Sequence, residues 1–391
     1  MNLAHFQNSP SRRVLPFGQG QATYHAFVPN PLPPNLMMDT EFVRILSDAD
    51  RALGELSGLG RMMPNQQLLI GPFIRREAVL SSRIEGAQAI LADLYAYEAG
   101  QFGMKSPALE ADVREVHNYV RAMEYGLERI KTLPISLRLL RELHAHLMEG
   151  VRGARATPGE FRRSQNWIGR PGCTLNDTTY VPPPVAEMHE TLDAFEKYLH
   201  AENEYPPLVR LAFIHYQFEA VHPFLDGNGR IGRLLISLLL VHWNLLPLPL
   251  LYLSAFFERH RNDYYDLLLA VSERGAWREW TLYFLRGVLE QGRDAIDKAK
   301  RLQDLQLGWR QRLQASPRTS ARLLQLIDVL FQTPTVTTPQ AQKILGVTHR
   351  SANQIIERLV KEKILTAVPE QVRNREFVAQ QILEVMGDYR D

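Results

Sequence analysis

One segment of this chain is too apolar to stand anywhere but the middle of a fold. LLISLLLVHWNLLPLPLLYLSAFF, Leu234 to Phe257, is hydrophobic on every side, and a helix of that kind is enclosed by other helices or by lipid. It is long enough to span a bilayer. However, His242, Asn244, Pro247 and Pro249 interrupt it, and Arg230 and Arg233 directly precede it. The expectation is a buried core helix that stops near the PLP turn, with no membrane partner.

Amphipathic segments surround it in the sequence, with apolar residues recurring at three and four. From about Asp39, DTEFVRILSDADRALGELSGLG has this pattern. IRREAVLSSRIEGAQAILADLYAYE (Ile74 to Glu98) reads as one helix or as two meeting near Gly86. Between Arg152 and Pro184 the periodicity disappears into Gly, Pro, Asn and Thr, and a short hairpin is expected there. QASPRTS, Gln314 to Ser320, reads as a linker, and beyond it three helices and a two-stranded wing are expected. The fold class is therefore mainly α. A chain of 391 residues exceeds one ordinary core. Three regions follow: a helical N-terminal region over 1–110, a core domain over 111–313 and a C-terminal module over 318–391.

Charge excludes one class of partner. Lys plus Arg number 45 against 43 Asp plus Glu, so no polyanion is bound by the chain as a whole, although local basic patches remain open. The single cysteine, Cys173, cannot form an intrachain disulfide and fits a reducing compartment. The first residues lack an apolar run behind a basic start, which predicts a cytoplasmic location.

The chemistry concentrates just before the apolar helix, in HPFLDGNGRIGR (His222 to Arg233). Glycines at 227 and 229 bare the backbone where a ligand must come close. A helix starting near Arg230 points its unpaired N–H groups into that loop. Arg230 and Arg233 lie three apart, and guanidinium forks match phosphate oxygens. Asp226 suits a hard cation such as Mg²⁺. His222 titrates near neutrality and can take a proton from a hydroxyl. Each feature alone is an ordinary turn or a solvated face; together and in this order they indicate phosphate, cation and base. There is no Gly-Lys-Ser/Thr, so this is not a P-loop.

These residues closely resemble the signature of the Fic (Fic/Doc) superfamily, His-Pro-Phe-x-acid-Gly-Asn-Gly-Arg with a second Arg three on. GEFRRSQNWIG and YVPPPVAEM resemble the family's lead-in and flap, and residues from about 15 to 110 its N-terminal region. The resemblance implies a helical core with a short β-hairpin flap and a protein adenylyltransferase activity. On that basis His222 is the base acting on a Tyr, Thr or Ser hydroxyl of a target protein, or of the chain itself. Asp226 holds Mg²⁺ on ATP, the substrate. Asn228 with the backbone of Gly227 and Gly229 forms the anion hole, and Arg230 and Arg233 bind the outer phosphates. The target docks on the flap at Tyr180, Val181 and Pro182 by main-chain pairing. Removal of AMP, or transfer of another phosphate-containing group, is the alternative within the same family.

SSRIEG (Ser81 to Gly86) has two local readings. Ser82 and Glu85 have capping-box spacing for a helix start, while Ser81 and Glu85 fall on one face of a continuing helix. By resemblance it is the family's inhibitory motif, with Ser81, Glu85 and Gly86 setting Glu85 against Arg233 in place of the γ-phosphate. The C-terminal module has the helix–Gly-turn–helix punctuation of a winged helix. Its His349, Arg350, Ser351, Asn353 and Gln354 suit contact with DNA, and protein contact is the other reading. A DNA-binding regulator with this core as sensor is thus the competing function, and a homodimer stays open. His144 and His146 lack companion ligands and read as packing, and Trp167 and Trp243 read as core.

Overall fold

The computed structural model describes every residue except 12, 19–22, 63–66, 101–105, 152–156, 171, 176, 203, 316–319, 369–374 and 388–391. Two strands open the chain, β1 (Val14–Phe17) and β2 (Tyr24–Phe27). Helices follow: α1 (Thr40–Met62), α2 (Gln67–Ile84), α3 (Leu91–Glu98), α4 (Pro107–Arg129), α5 (Leu137–Leu147), α6 (Val185–His200), α7 (Pro207–Val221) and α8 (Asn228–His242). After them come α9 (Ser254–Arg259), α10 (Arg261–Arg274), α11 (Trp277–Gln314) and α12 (Ala321–Gln332). The chain then alternates through β3 (Thr335–Thr337), α13 (Thr338–Leu345), α14 (His349–Lys361), β4 (Thr366–Ala367), β5 (Glu376–Val378) and α15 (Gln380–Met386). The mainly helical expectation holds.

α8 lies where its composition requires. Ile231, Leu234, Leu235, Ile236, Leu238, Leu239 and Leu240 are all buried, and α7, itself buried over most of its length, packs beside it. Among the described residues no helix is long and apolar enough to cross a membrane. α4 reaches the pair closely because Gly126 has no side chain: a methyl there would meet Leu143 and Leu238 at 2.9 Å. Overpacking of that kind costs about 1–3 kcal/mol.

The boundary expected at residue 110 falls inside α4, and one hydrophobic core runs from Phe6 to Met386. α11 explains the continuity. At 38 residues it is roughly 57 Å long; its first half packs on α7 and its flank on α1, where Gly292 meets Ala52. Its far end carries Trp309, 2% exposed, against Phe331 of α12. The indole N–H of Trp309 donates to Gln381, and Arg310 forks both oxygens of Asp328. The C-terminal region thus seats on the helical body, directly over α2: the carbonyl of Gln332 stands where a methyl on Gly71 would be 3.0 Å away.

That region has more than the expected three helices and two strands. β5 pairs antiparallel with both β3 and β4, in the order β3-β5-β4. The β-branched run Thr335–Thr337 is buried as a strand, and α15 buries Ile382, Leu383, Val385 and Met386. Gly346 at φ 61° makes the turn between α13 and α14. Most of the expected linker, 316–319, and the wing tip, 369–374, lie outside the described residues. The hairpin expected in 152–184 contracts to one antiparallel bridge, Ile168 with Tyr180; prolines at 182, 183 and 184 lack the N–H groups to extend a ladder.

Replacing Trp309 by alanine should cost about 3–5 kcal/mol of stability. Urea unfolding should show the loss, with cleavage by dilute protease appearing first beyond residue 315. A single transition with an unchanged midpoint would mean that the indole is not what seats the C-terminal region.

Candidate active site

The loop between α7 and α8 is held from several sides. His222 caps α7 in a left-handed conformation, φ 47°, which is uncommon for a side chain with Cβ. Gly227, φ 77°, turns the chain into α8, and a side chain there would press on Leu147 and Met148 at the end of α5. Asn228 closes the loop: its carbonyl oxygen accepts from Phe224 N–H and its amide donates to Phe224 C=O, both at 2.9 Å. The Asn228 side chain is therefore a buried strut.

Two residues outside the motif tie the loop down. Arg162, 1% exposed, donates to the His222 carbonyl at 3.1 Å and to the carbonyl of Pro183, while its own N–H donates to Pro223 C=O. Asn166 donates to the carbonyls of His222 and Phe224. Burial lowers the Arg162 guanidinium to about 10, and the ring of carbonyls around it keeps a cation solvated by dipoles in place of water. Both residues stand in GEFRRSQNWIG, where the sequence marks a resemblance without assigning a task.

His222 Nδ1 lies 3.3 Å from the Glu219 carbonyl. A carbonyl only accepts, so Nδ1 carries the proton and Nε2 keeps its lone pair. Burial, partly offset by that hydrogen bond, lowers the His222 pKa to about 4. The ring is thus a neutral acceptor at physiological pH. Asp226 is open to solvent, its side chain 52% exposed, and one oxygen accepts from Gly227 N–H at 2.6 Å. The other is free to face a cation. No set of three or more His, Cys, Asp or Glu side chains among the described residues is placed to hold a metal; a lone exposed carboxylate such as Asp226 suits a hard cation that brings its other oxygen ligands with it.

The arginines of α8 are both buried and both already engaged. Arg230, 3% exposed, donates to Glu115 of α4 at 3.0 Å and lies 3.6 Å from Asp226. Glu115 is one acid among many on an amphipathic helix, and nothing in the sequence singles it out. Arg233 donates through Nε to the Ser81 hydroxyl at 2.8 Å, and through Nη2 to the Ser81 carbonyl at 2.9 Å and to Glu85 at 2.7 Å. Burial raises the Glu85 pKa, but the Arg233 charge and hydrogen bond outweigh it and hold the carboxyl below the ordinary range. The Arg233 side chain is 1% exposed and that of Glu85 38%, so Glu85 is the half of the pair with room to leave. A methyl on Gly229 would overlap the Glu85 carboxylate. That carboxylate therefore covers the first turn of α8, where an anion would bind.

The capping-box reading of SSRIEG does not survive. α2 ends at Ile84, and Gly86 at φ 103° turns the chain away, so the motif closes a helix instead of opening one. At Tyr180, Val181 and Pro182, where docking is expected, main-chain groups already have partners within the chain. Tyr180 exchanges both main-chain bonds with Ile168, Val181 accepts from Phe27 N–H, and Pro182 accepts from Gln165. Trp167, expected in the core, is instead 43% exposed, while Trp243 is partly buried beneath Arg210. His146 packs on Tyr125 as expected.

Two stretches of the chain match family models: residues 43–128 the Fic/DOC family N-terminal model, and residues 134–240 the Fic/DOC family model. "Protein adenylyltransferase Fic" of Culex quinquefasciatus is 29% identical over 174 residues, 42% of this chain and 31% of its own length. The protein of that name in Drosophila grimshawi is 29% identical over 173 residues, again 42% of this chain and 32% of its own. The match thus spans about a third of these curated relatives. A Fic family protein from Desulfovibrio desulfuricans superposes with a TM-score of 0.56 at 19% identity, over 89% of this chain and 98% of its own. A Fic domain containing signaling protein from Bacteroides thetaiotaomicron gives 0.50 at 18%, over 66% and 97%. At these identities the likeness is one of fold.

The His222 ring should stay neutral until well below its ordinary 6.5, with a midpoint near 4 by NMR titration of its C2 proton. The fold favours the neutral form, so this residue's contribution to stability is full above the unfolded value and declines as pH falls from about 6.5 toward 4. A midpoint at 6.5 would show that the ring is solvated.

Proposed function

We propose that this chain, which carries Fic/DOC family domains, is a protein adenylyltransferase of that kind, held in check by its own α2. The observation that carries the reading is the seat of the Glu85 carboxylate, on Arg233 and over the open first turn of α8. A guanidinium donor that suits a terminal phosphate is occupied by a carboxylate.

With Glu85 withdrawn, Arg233 and the first-turn amides of α8 are free to orient the phosphates of ATP. Bound Mg²⁺, held by Asp226, would supply charge neutralisation on those phosphates. His222 Nε2 takes the proton from the target hydroxyl as its oxygen attacks the α-phosphorus. The bond from that phosphorus to the bridging oxygen breaks, pyrophosphate leaves and AMP remains on the target. Positioning and fixed dipoles account for most of such a rate gain, and a general base for about 10²- to 10⁴-fold. Trp167 and Gly169, exposed on either side of the bridged Ile168 and next to Asn166, offer main chain to an extended target.

A DNA-binding role for α14 is the weaker reading. Of the residues expected there, Asn353 donates to Glu357, while His349, Arg350 and Gln354 stay exposed.

Incubation with ATP and Mg²⁺ followed by intact mass tests the reading. Glu85→Gly should gain AMP about 10- to 100-fold faster than the parent, the equivalent of one charge-assisted hydrogen bond. Adding His222→Ala should abolish that gain. Equal labelling of parent and Glu85→Gly would remove the brake, and labelling that survives His222→Ala would remove the base.

A further inference from the structure

His144 was left to packing by the sequence, and its burial is complete. Its contacts say more. Gly159 N–H donates to Nδ1 at 2.9 Å, so Nδ1 is the unprotonated nitrogen and Nε2 carries the hydrogen. That hydrogen points to the carbonyl of Asp226 at 3.1 Å. The ring also lies flat on Phe224, with centroids 3.8 Å apart and planes within 7°. Gly159, φ 79°, is gripped a second time from the same helix, because Arg141 donates to its carbonyl at 2.8 Å.

We propose that His144 is a positioning residue for AMP transfer, a cross-brace that fixes the loop from Phe224 to Gly227 by one stack and one hydrogen bond. It touches no reacting atom. Its polar ends join two segments far apart in sequence, the GEF turn and the loop of HPFLDGNGR. The stack fixes the plane of Phe224, two residues from the base, and the Nε2 bond fixes the peptide that follows the Asp226 side chain. Neighbouring groups leave the loop little else on this side: Gly227 meets Leu147 and Met148, which are apolar. Phenylalanine at 144 would keep the stack and lose both hydrogen bonds, which separates packing from positioning.

The inference rests on the adenylyltransferase reading, so one arm of its test is independent of turnover. In the Glu85→Gly background, His144→Phe should lower kcat on the order of 10- to 100-fold while KM for ATP stays within about threefold. His144→Ala should fall as far and regain activity when free imidazole is added; the phenylalanine variant should not respond. Without nucleotide, hydrogen exchange should quicken across 222–233 in both variants, at the Phe224 and Ile231 amides, whose bonds to Asn228 and Gly227 close the loop. A kcat within about threefold of the background, or a loss of rate with unchanged exchange, overturns the proposal. If the Glu85→Gly background itself transfers no AMP, the functional reading fails and exchange alone decides: faster supports the brace, unchanged overturns it.

Discussion

A buried guanidinium organises this molecule. Arg233 stands in the first turns of a helix buried on every side, and a cation in that place must be surrounded by acceptors or the helix cannot stay buried. The last turn of α2 supplies them, through a hydroxyl, a carbonyl and a carboxylate. α2 is thereby fixed against α8, and with it the surfaces that α4, α9 and α12 pack upon. The fold's need to neutralise one arginine is thus met by a carboxylate that also covers the first turn of α8.

The surrounding electrostatics follow one pattern: groups near the site are kept from ionising unless they have a partner. Burial lowers His144 and His222 to about 4 and His215 to about 3. Burial raises Glu77 to about 7 and Glu219 to about 8. Glu77 is spared full isolation by the hydroxyls of Ser254 and Tyr119. The charges that persist in contact are paired, Glu85 with Arg233 and Glu115 with Arg230. A site built this way has a strong local field and little competing charge to reorganise.

Much of this was legible in the sequence because it is local. The helical period, the all-round apolar segment and the contiguous loop of glycines, acid and arginines declare themselves within short windows. The pairing of Glu85 with Arg233 joins two such windows, and only the resemblance connected them. What stayed hidden was contact at long range between unremarkable residues. Glu115 looks like any acid on a helix face, Arg162 like any surface arginine, and His144 like a core histidine. The flap's partner Phe27 was hidden for a related reason, since it lies far away in the sequence. The capping-box spacing at Ser82 was a local coincidence, overridden by Gly86.

α2 lies on the C-terminal region near its start and carries Ser81 and Glu85 at its end, with Gly71 so close to Gln332 that backbone meets backbone without a side chain between. A module attached in this manner is not detachable cargo. Any lineage that exchanged it for another would be re-bedding the helix whose end covers the first turn of α8. The seat of Glu85 and the identity of the appendage would then be inherited as one trait.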